Sequence, residues 1–154
     1  MIETNAGTNK PPKISGFQKF ALNLQVFLLR RSWMGPAGNF LMAITTTGRK
    51  SGRKATVPIS YKRDGNDLIG LNPGNSNWFH NVLTFGVATL EVQGQKFDVT
   101  AKLVEDESER QRIFNLYKDD ANIFQRIFKV SVTAPEEELQ KELKKWQFVR
   151  FVKK

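Results

Sequence analysis

Two β-compatible runs meet at one short polar stretch, and this constrains the chain more than any other feature. Phe40 to Thr47 (FLMAITTT) is unbroken β-compatible sequence. Ala55–Lys62 alternates, with Val57, Ile59 and Tyr61 on one face and Thr56, Pro58 and Ser60 on the other. Only a tight turn fits between them, so the two strands must pair antiparallel. Pro58 has no N–H to give to a ladder, which places that part of the second strand at an edge or a bulge. Asp64-Gly65 is a turn signal, and Asp67–Leu71 returns as a third strand.

The pattern continues downstream. NPGNSN (residues 72–77) is a loop, and Ser76 or Asn77 caps a short helix, WFHNVLTF. Val87–Gln93 and Gln95–Val104 form a second hairpin about Gly94. The C-terminal third turns helical. Asp106 and Glu109 have the spacing of a capping box before Ile113, Phe114, Leu116 and Tyr117. NIFQRIFKV is a second apolar, helix-like piece. Pro135 and Glu136–Glu138 open a last helix that Lys141, Lys144 and Lys145 close, in accord with the helix macrodipole. QFVRFV is a final strand. Residues 14–33 carry Phe17, Phe20, Leu24, Phe27 and Leu28 at helical spacing, and residues 1–13 read as a flexible polar tail. Six strands with few helices to cover them close most economically into a barrel. The expectation is therefore one α+β domain over residues 14–154: a mostly antiparallel six-stranded barrel with an amphipathic N-terminal helix and C-terminal helices.

The strand-connecting stretch, TTTGRKSGR (residues 45–53), carries more positive charge than a hairpin tip requires. Arg49, Lys50 and Arg53 alternate with glycines, and Thr46, Thr47 and Ser51 add hydroxyls. Such a turn suits a phosphate or carboxylate; it also suits a solvated basic turn. It is not a P-loop, because the GxxxxGK[ST] spacing is absent and a strand follows. The charge of the whole chain has the same focus. Of a formal net +9, residues 1–66 hold 11 Lys/Arg against two acids, and residues 67–154 hold 13 against 13. A one-sided field of this kind attracts a polyanion. Aromatics are sparse among the strand-face bases, which counts against a nucleic-acid-binding barrel.

Composition excludes several chemistries. With no cysteine and a single histidine, His80, the chain has no thiolate, iron–sulfur or paired-His metal site, so no metal is expected. No Ser-His-Asp set can be assembled, and an enzyme on this sequence borrows its reactive group from a cofactor. Trp78 can stack on a planar ring or serve as core, and His80 can donate a proton or satisfy a local hydrogen bond. The N-terminal helix can cover the barrel or lie on an anionic membrane. The absence of cysteine fits a cytoplasmic location, with membrane association through that helix, and a homodimer is among the assemblies such a barrel allows.

The order of these motifs resembles one family across roughly residues 16–110. The amphipathic helix, the strand ending in TTTGRKSGR, the proline-bearing strand TVPISYKRDGN and the loop before NWFHNV are similar to the deazaflavin-dependent nitroreductases. These use reduced coenzyme F420 to reduce quinones and nitro compounds. The resemblance implies a split β-barrel related to FMN-binding barrels, with the cofactor's phosphate and glutamate tail on the basic hairpin. It implies cofactor roles for Thr47, Arg49, Lys50, Ser51 and Arg53. Pro58 lies in the matching second strand, and Asn72, Gly74 and the Trp78–Asn81 segment match the border of the cofactor. Family members often carry a longer, lysine-bearing loop before the Trp. Here the loop is NPGNSN, so FMN or FAD stands as the alternative cofactor. The partner implied is a small electron acceptor. Ser60, Tyr61 and His80 are the candidate proton donors. The family's tyrosine-rich substrate region is replaced here by Phe124, Phe128 and Trp146.

Overall fold

The computed structural model describes residues 40–154. The tail and the helix expected over residues 14–33 lie outside the described residues. Six strands form a closed barrel: β1 (Leu41–Thr47), β2 (Lys54–Asp64), β3 (Asp67–Asn72), β4 (Val87–Val92), β5 (Gln95–Leu103) and β6 (Gln147–Lys153). Their order around the barrel is β1-β2-β3-β6-β5-β4, and every pairing is antiparallel. Helix α1 (Asn77–Phe85) joins β3 to β4. Helices α2 (Glu107–Leu116), α3 (Ala121–Phe128) and α4 (Glu136–Lys145) precede β6.

Strand alternation produces two cores. Leu68 on β3, with Val149 and Phe151 on β6, faces the interior beside Met42, Ile44, Ile59, Tyr61 and Leu90. The intervening Ile69, Leu71 and Phe148 face outward, under Phe114, Phe124, Phe128, Leu139 and Leu143 of the three C-terminal helices. Strands β3 and β6 are thus buried on both faces, which explains their nearly continuous apolar sequence. Helix α1 adds Trp78, Phe79 and Val82 to the interior core. Phe124, Phe128 and Trp146 belong to the outer aromatic cluster. Phe128 sits 4.8 Å from Phe124, 5.0 Å from Phe114 and 5.2 Å from Trp146 between ring centroids.

Pro58 occupies the one kind of ladder position it tolerates. The amide of Tyr61 donates to the carbonyl of Phe40, so hydrogen-bonded pairs fall at alternate residues, including Ile59 with Met42. Pro58, opposite Ala43, is therefore in a non-hydrogen-bonded pair, and its nitrogen points away from β1. On that side β2 pairs with β3 only from Tyr61 to Asp64. Among the described residues, the expected edge is local to this stretch of β2.

Two details of capping differ from the sequence reading. Asp106 caps α2 by accepting from the Glu109 amide at 2.9 Å. The Glu109 carboxylate is taken by Arg112 and Arg150, because charged guanidinium donors outcompete a backbone amide. Ser76 is the N-cap of α1 by position, but its hydroxyl donates instead to Asn72 Oδ1 at 2.8 Å.

Arg112 and Arg150 join Asp64, Asp67 and Glu109 into one network linking the β2–β3 turn, α2 and β6. Hydrogen bonds from Arg112, chiefly, and from Arg150 hold the Asp64 carboxyl down at about 2, against partial burial. Its folded value is depressed, so its stabilisation is complete above the unfolded value near 3.8 and disappears as pH falls through about 2. Asp64→Asn is expected to cost about 1–2 kcal/mol at neutral pH. In thermal melts its difference from wild type should shrink from pH 4 toward pH 2; a difference unchanged to the acid end would contradict this account. Gly70 supplies a second test. A Cβ there would lie 2.7 Å from Phe151 Cε2 and 3.2 Å from Ile59 Cδ1. Gly70→Ala should therefore destabilise by about 1–3 kcal/mol through overpacking, measured by denaturant unfolding.

Candidate functional site

The basic turn is a folded object and not a loose loop. Gly48 N donates to Arg53 O at 2.8 Å, and Gly52 N donates to Gly48 O at 2.9 Å. Ser51 Oγ accepts from the Arg53 amide at 3.1 Å. The two glycines serve different needs. Gly52 has φ +73°, the left-handed region, whereas a Cβ at Gly48 would stand 2.5 Å from Ser51 Oγ. Lys50, Ser51, Arg53 and Lys54 are exposed, and Arg49 is half-buried. Among the described residues, Arg49, Lys50, Arg53 and Lys54 form no ion pair, while cations elsewhere do so with Asp64, Asp67, Glu91, Glu107, Glu109, Asp119, Glu137 and Glu142.

Helix α1 fixes this turn in place through Asn81. Asn81 is buried, and its Oδ1 accepts from both the Arg49 amide at 3.0 Å and Arg49 Nη1 at 3.2 Å. Its Nδ2 donates to Thr46 Oγ1 at 3.0 Å. Thr46 is itself buried on the inward face of β1. Between the turn and α1 lies an open cleft of about 530 Å³, walled by Gly48, Arg49, Lys50, Ser51, Arg53 and Lys54 on one side and Asn77 and Asn81 on the other. The sequence reading omitted Lys54 and Asn77. Lys54 extends the basic run by one residue; it falls between the turn read over residues 45–53 and the strand read from Ala55, and the structure makes it the first residue of β2. In sequence Asn77 reads only as loop or cap, because nothing local places it opposite the basic turn.

The remaining residues singled out by sequence are distributed around this cleft or away from it. Thr47 shares a smaller notch of about 170 Å³ with Thr45, Lys54 and Lys154. Pro58 and Ser60 lie on the outward face of β2, half-buried. Asn72 is buried and ties its own loop together. Its Nδ2 donates to Gly74 O at 2.5 Å and to Gln147 Oε1 at 2.7 Å, and its Oδ1 accepts from Ser76 Oγ. Gly74 is exposed at the tip of that loop. Trp78 is buried in the barrel core, 6.4 Å from the Phe151 ring. Its indole is therefore core packing here.

None of the three candidate proton donors lines the hairpin cleft. Tyr61 is buried and helps wall a separate cavity of about 340 Å³ with Phe40, Tyr117 and Ile123. Burial raises its phenol above the ordinary value, and the nearby Arg63 works in the opposite direction. Tyr117, in the same wall, is pushed well above the ordinary tyrosine range by burial alone, and its hydroxyl has no hydrogen-bond partner among the described residues. His80 is half-buried, with Nε2 hydrogen-bonded to Asn75 Oδ1. Among the described residues no group of three or more metal-ligating side chains is assembled, and no helix is long and apolar enough to cross a membrane.

Comparison with known proteins agrees with this geometry. The F420H(2)-dependent quinone reductase of Mycobacterium tuberculosis is 30% identical over 69 residues, covering 42% of this chain and 46% of that protein. The match thus spans about half the length of that relative. A solved F420-H2 dependent reductase superposes with a TM-score of 0.50 at 22% identity, over 71% of this chain and 92% of its own. An FAD-binding protein from Mesorhizobium loti does so with a TM-score of 0.53 at 11% identity, over 85% and 88%. These two likenesses show the fold, a split barrel. The family model described as F420H(2)-dependent quinone reductase matches residues 28–133, through the hairpin, α1 and the strands that follow. That match takes in most of the chain and the whole of the cleft, and the chain belongs to the F420H(2)-dependent quinone reductase family.

Proposed function

We propose that the protein is an oxidoreductase that uses reduced coenzyme F420 and holds the coenzyme's anionic end in the cleft between the basic turn and α1. The observation that carries this reading is the set of four cations, Arg49, Lys50, Arg53 and Lys54, gathered on one turn without an ion-pair partner among the described residues. A phosphate and a carboxylate tail need several cations and N–H donors in a fixed arrangement. A turn closed by two backbone bonds and seated on Asn81 supplies them. The residues present fit the group.

When bound, the reduced deazaflavin supplies a hydride to an electron-poor acceptor, of which quinones and nitro compounds are the expected classes. The chain's own part is binding and placement. Lys50, Arg53 and Lys54 would neutralise phosphate and carboxylate, and Ser51 lies among them on the same wall. Arg49 is held in a set direction by Asn81. The outward face of β2, with half-buried Pro58 and Ser60, lies on the strand that leaves the turn and would take a planar ring. The rigid interior core, including Trp78 and Val82, keeps α1 from shifting as the cleft fills. Proton delivery is assigned to Ser60, Tyr61 or His80. Ser60 shares the outward face of β2 with Pro58 and is the most accessible to a ligand placed there.

A conventional flavin phosphate would meet the same cations, so a titration must separate the two. Purified protein titrated with coenzyme F420, FMN and FAD is expected to saturate with F420 at the lowest concentration. Saturation by FMN or FAD alone would transfer the assignment to a flavin, and no saturation by any of the three would overturn it. Lys50→Ala with Arg53→Ala should weaken F420 binding by about tenfold or more, because charge-assisted contacts are lost. The wild-type affinity should also fall as salt is raised, by screening.

A further inference from the structure

We infer that Asn81 is a positioning residue, acting on the cofactor's anionic end through Arg49. The inference rests on the cofactor reading above. Residues that border a cleft are naturally taken as ligand contacts, and Asn81 does border this one. Its acceptor capacity, however, is already spent inside the protein. A side-chain amide oxygen has two acceptor sites, and both are filled by a single residue: the Arg49 amide at 3.0 Å and Arg49 Nη1 at 3.2 Å. One of the two N–H donors of the amide nitrogen is anchored inward on Thr46 Oγ1 at 3.0 Å. Asn81 is only 5% exposed, against the open positions of Lys50, Arg53 and Lys54.

Both polar ends of Arg49 therefore converge on one oxygen. This closes a loop from backbone to guanidinium and removes much of the side chain's rotational freedom before any ligand arrives. Preorganisation of this kind lowers the cost of binding without adding a contact. The residue type matters. An aspartate would keep both acceptors but would neutralise Arg49. An alanine would release it. The anchor also joins the turn to α1, so the cations and the helix that closes the cleft form one rigid body, with Thr46 of β1 as its base.

A double-mutant cycle separates action through Arg49 from direct contact. Arg49→Ala, Asn81→Ala and the double variant are titrated with coenzyme F420. Each single variant should bind about tenfold more weakly. The double variant should bind no more weakly than Arg49→Ala, within about twofold. The kcat at saturating cofactor, with a soluble quinone as acceptor, should be unchanged within the same margin in Asn81→Ala. In the ligand-free protein, amide hydrogen exchange in Asn81→Ala should speed up at residues 48–53 and not in β3 or β6. Thr46→Val removes only the inward anchor, and it keeps the test open should Asn81→Ala fail to fold. It should give a smaller loss that vanishes in the Arg49→Ala background. Losses that add in the double variant would overturn the inference and leave the cofactor reading intact. Failure of the wild type to bind F420, with hairpin exchange still dependent on Asn81, would remove the cofactor reading while the mechanical role of Asn81 stood.

Discussion

Strand β6 is inserted between β3 and β5, and the barrel exists because of that insertion. Five residues pair with β3, from Leu68 with Phe151 to Asn72 with Gln147, and five with β5, from Val99 with Lys153 to Leu103 with Val149. Without it, β3 and β5 would each present an open edge, and the interior core would be exposed along one side. The same strand carries both cores. Val149 and Phe151 point inward, and Phe148 points out into the aromatic cluster under α2, α3 and α4. Arg150, on the outward face, reaches the carboxylates of the β2–β3 turn and of α2. A segment at the far end of the sequence thus locks a hairpin formed about eighty residues earlier, a non-local dependence that slows folding in such topologies.

The closed barrel leaves one strand only partly used, and the site grows there. Strand β2 is longer than its neighbours. It pairs with β1 over its first seven residues and with β3 only over its last four. Pro58, with its nitrogen directed away from β1, is compatible with that unpaired stretch and would break a ladder anywhere that β3 was required to bond. The β1–β2 hairpin therefore projects past the barrel, and it needs an external support. Asn81 provides it, reaching from a helix whose other residues, Trp78, Phe79 and Val82, are rooted in the interior. Barrel packing is thereby converted into fixed geometry at the turn.

How much of this the sequence disclosed depends on the range of the interactions. The hairpins, the short helix after the NPGNSN loop and the Asp106 cap follow from neighbouring residues, and they were legible. The basic turn was legible for the same reason, since its charges, hydroxyls and glycines are contiguous. Long-range facts were not. Nothing local indicates that Glu109 will face Arg150 across 41 positions, and so its expected return to the cap gives way to two guanidinium groups. Asn81 was selected by family resemblance, but its pairing with Arg49 across 32 positions is visible only in three dimensions. Trp78 shows the converse limit. An aromatic on a short helix reads equally well as ring-stacking surface or core, and only burial decides between them.

The charge pattern ties the fold to the site. The second part of the chain is balanced in acids and bases, and the structure spends that balance internally. Asp67 and Glu109 hold Arg150, Glu109 also holds Arg112, and Glu142 holds Lys145 at 3.2 Å; Asp119 reaches across to Lys62 of the first part at 2.6 Å, and the first part's Asp64 answers Arg112 and Arg150. The first part has too few acids to do the same. Its cations at residues 49–54 are left facing a cleft walled otherwise by asparagines, glycine, serine and alanine. A turn that carries several uncompensated cations pays a repulsive cost in the free protein. Asn81 offsets part of it by giving Arg49 a neutral acceptor without cancelling its charge. A neutral amide keeps the turn folded and electropositive together, and these are the two properties a phosphate-bearing cofactor requires of it.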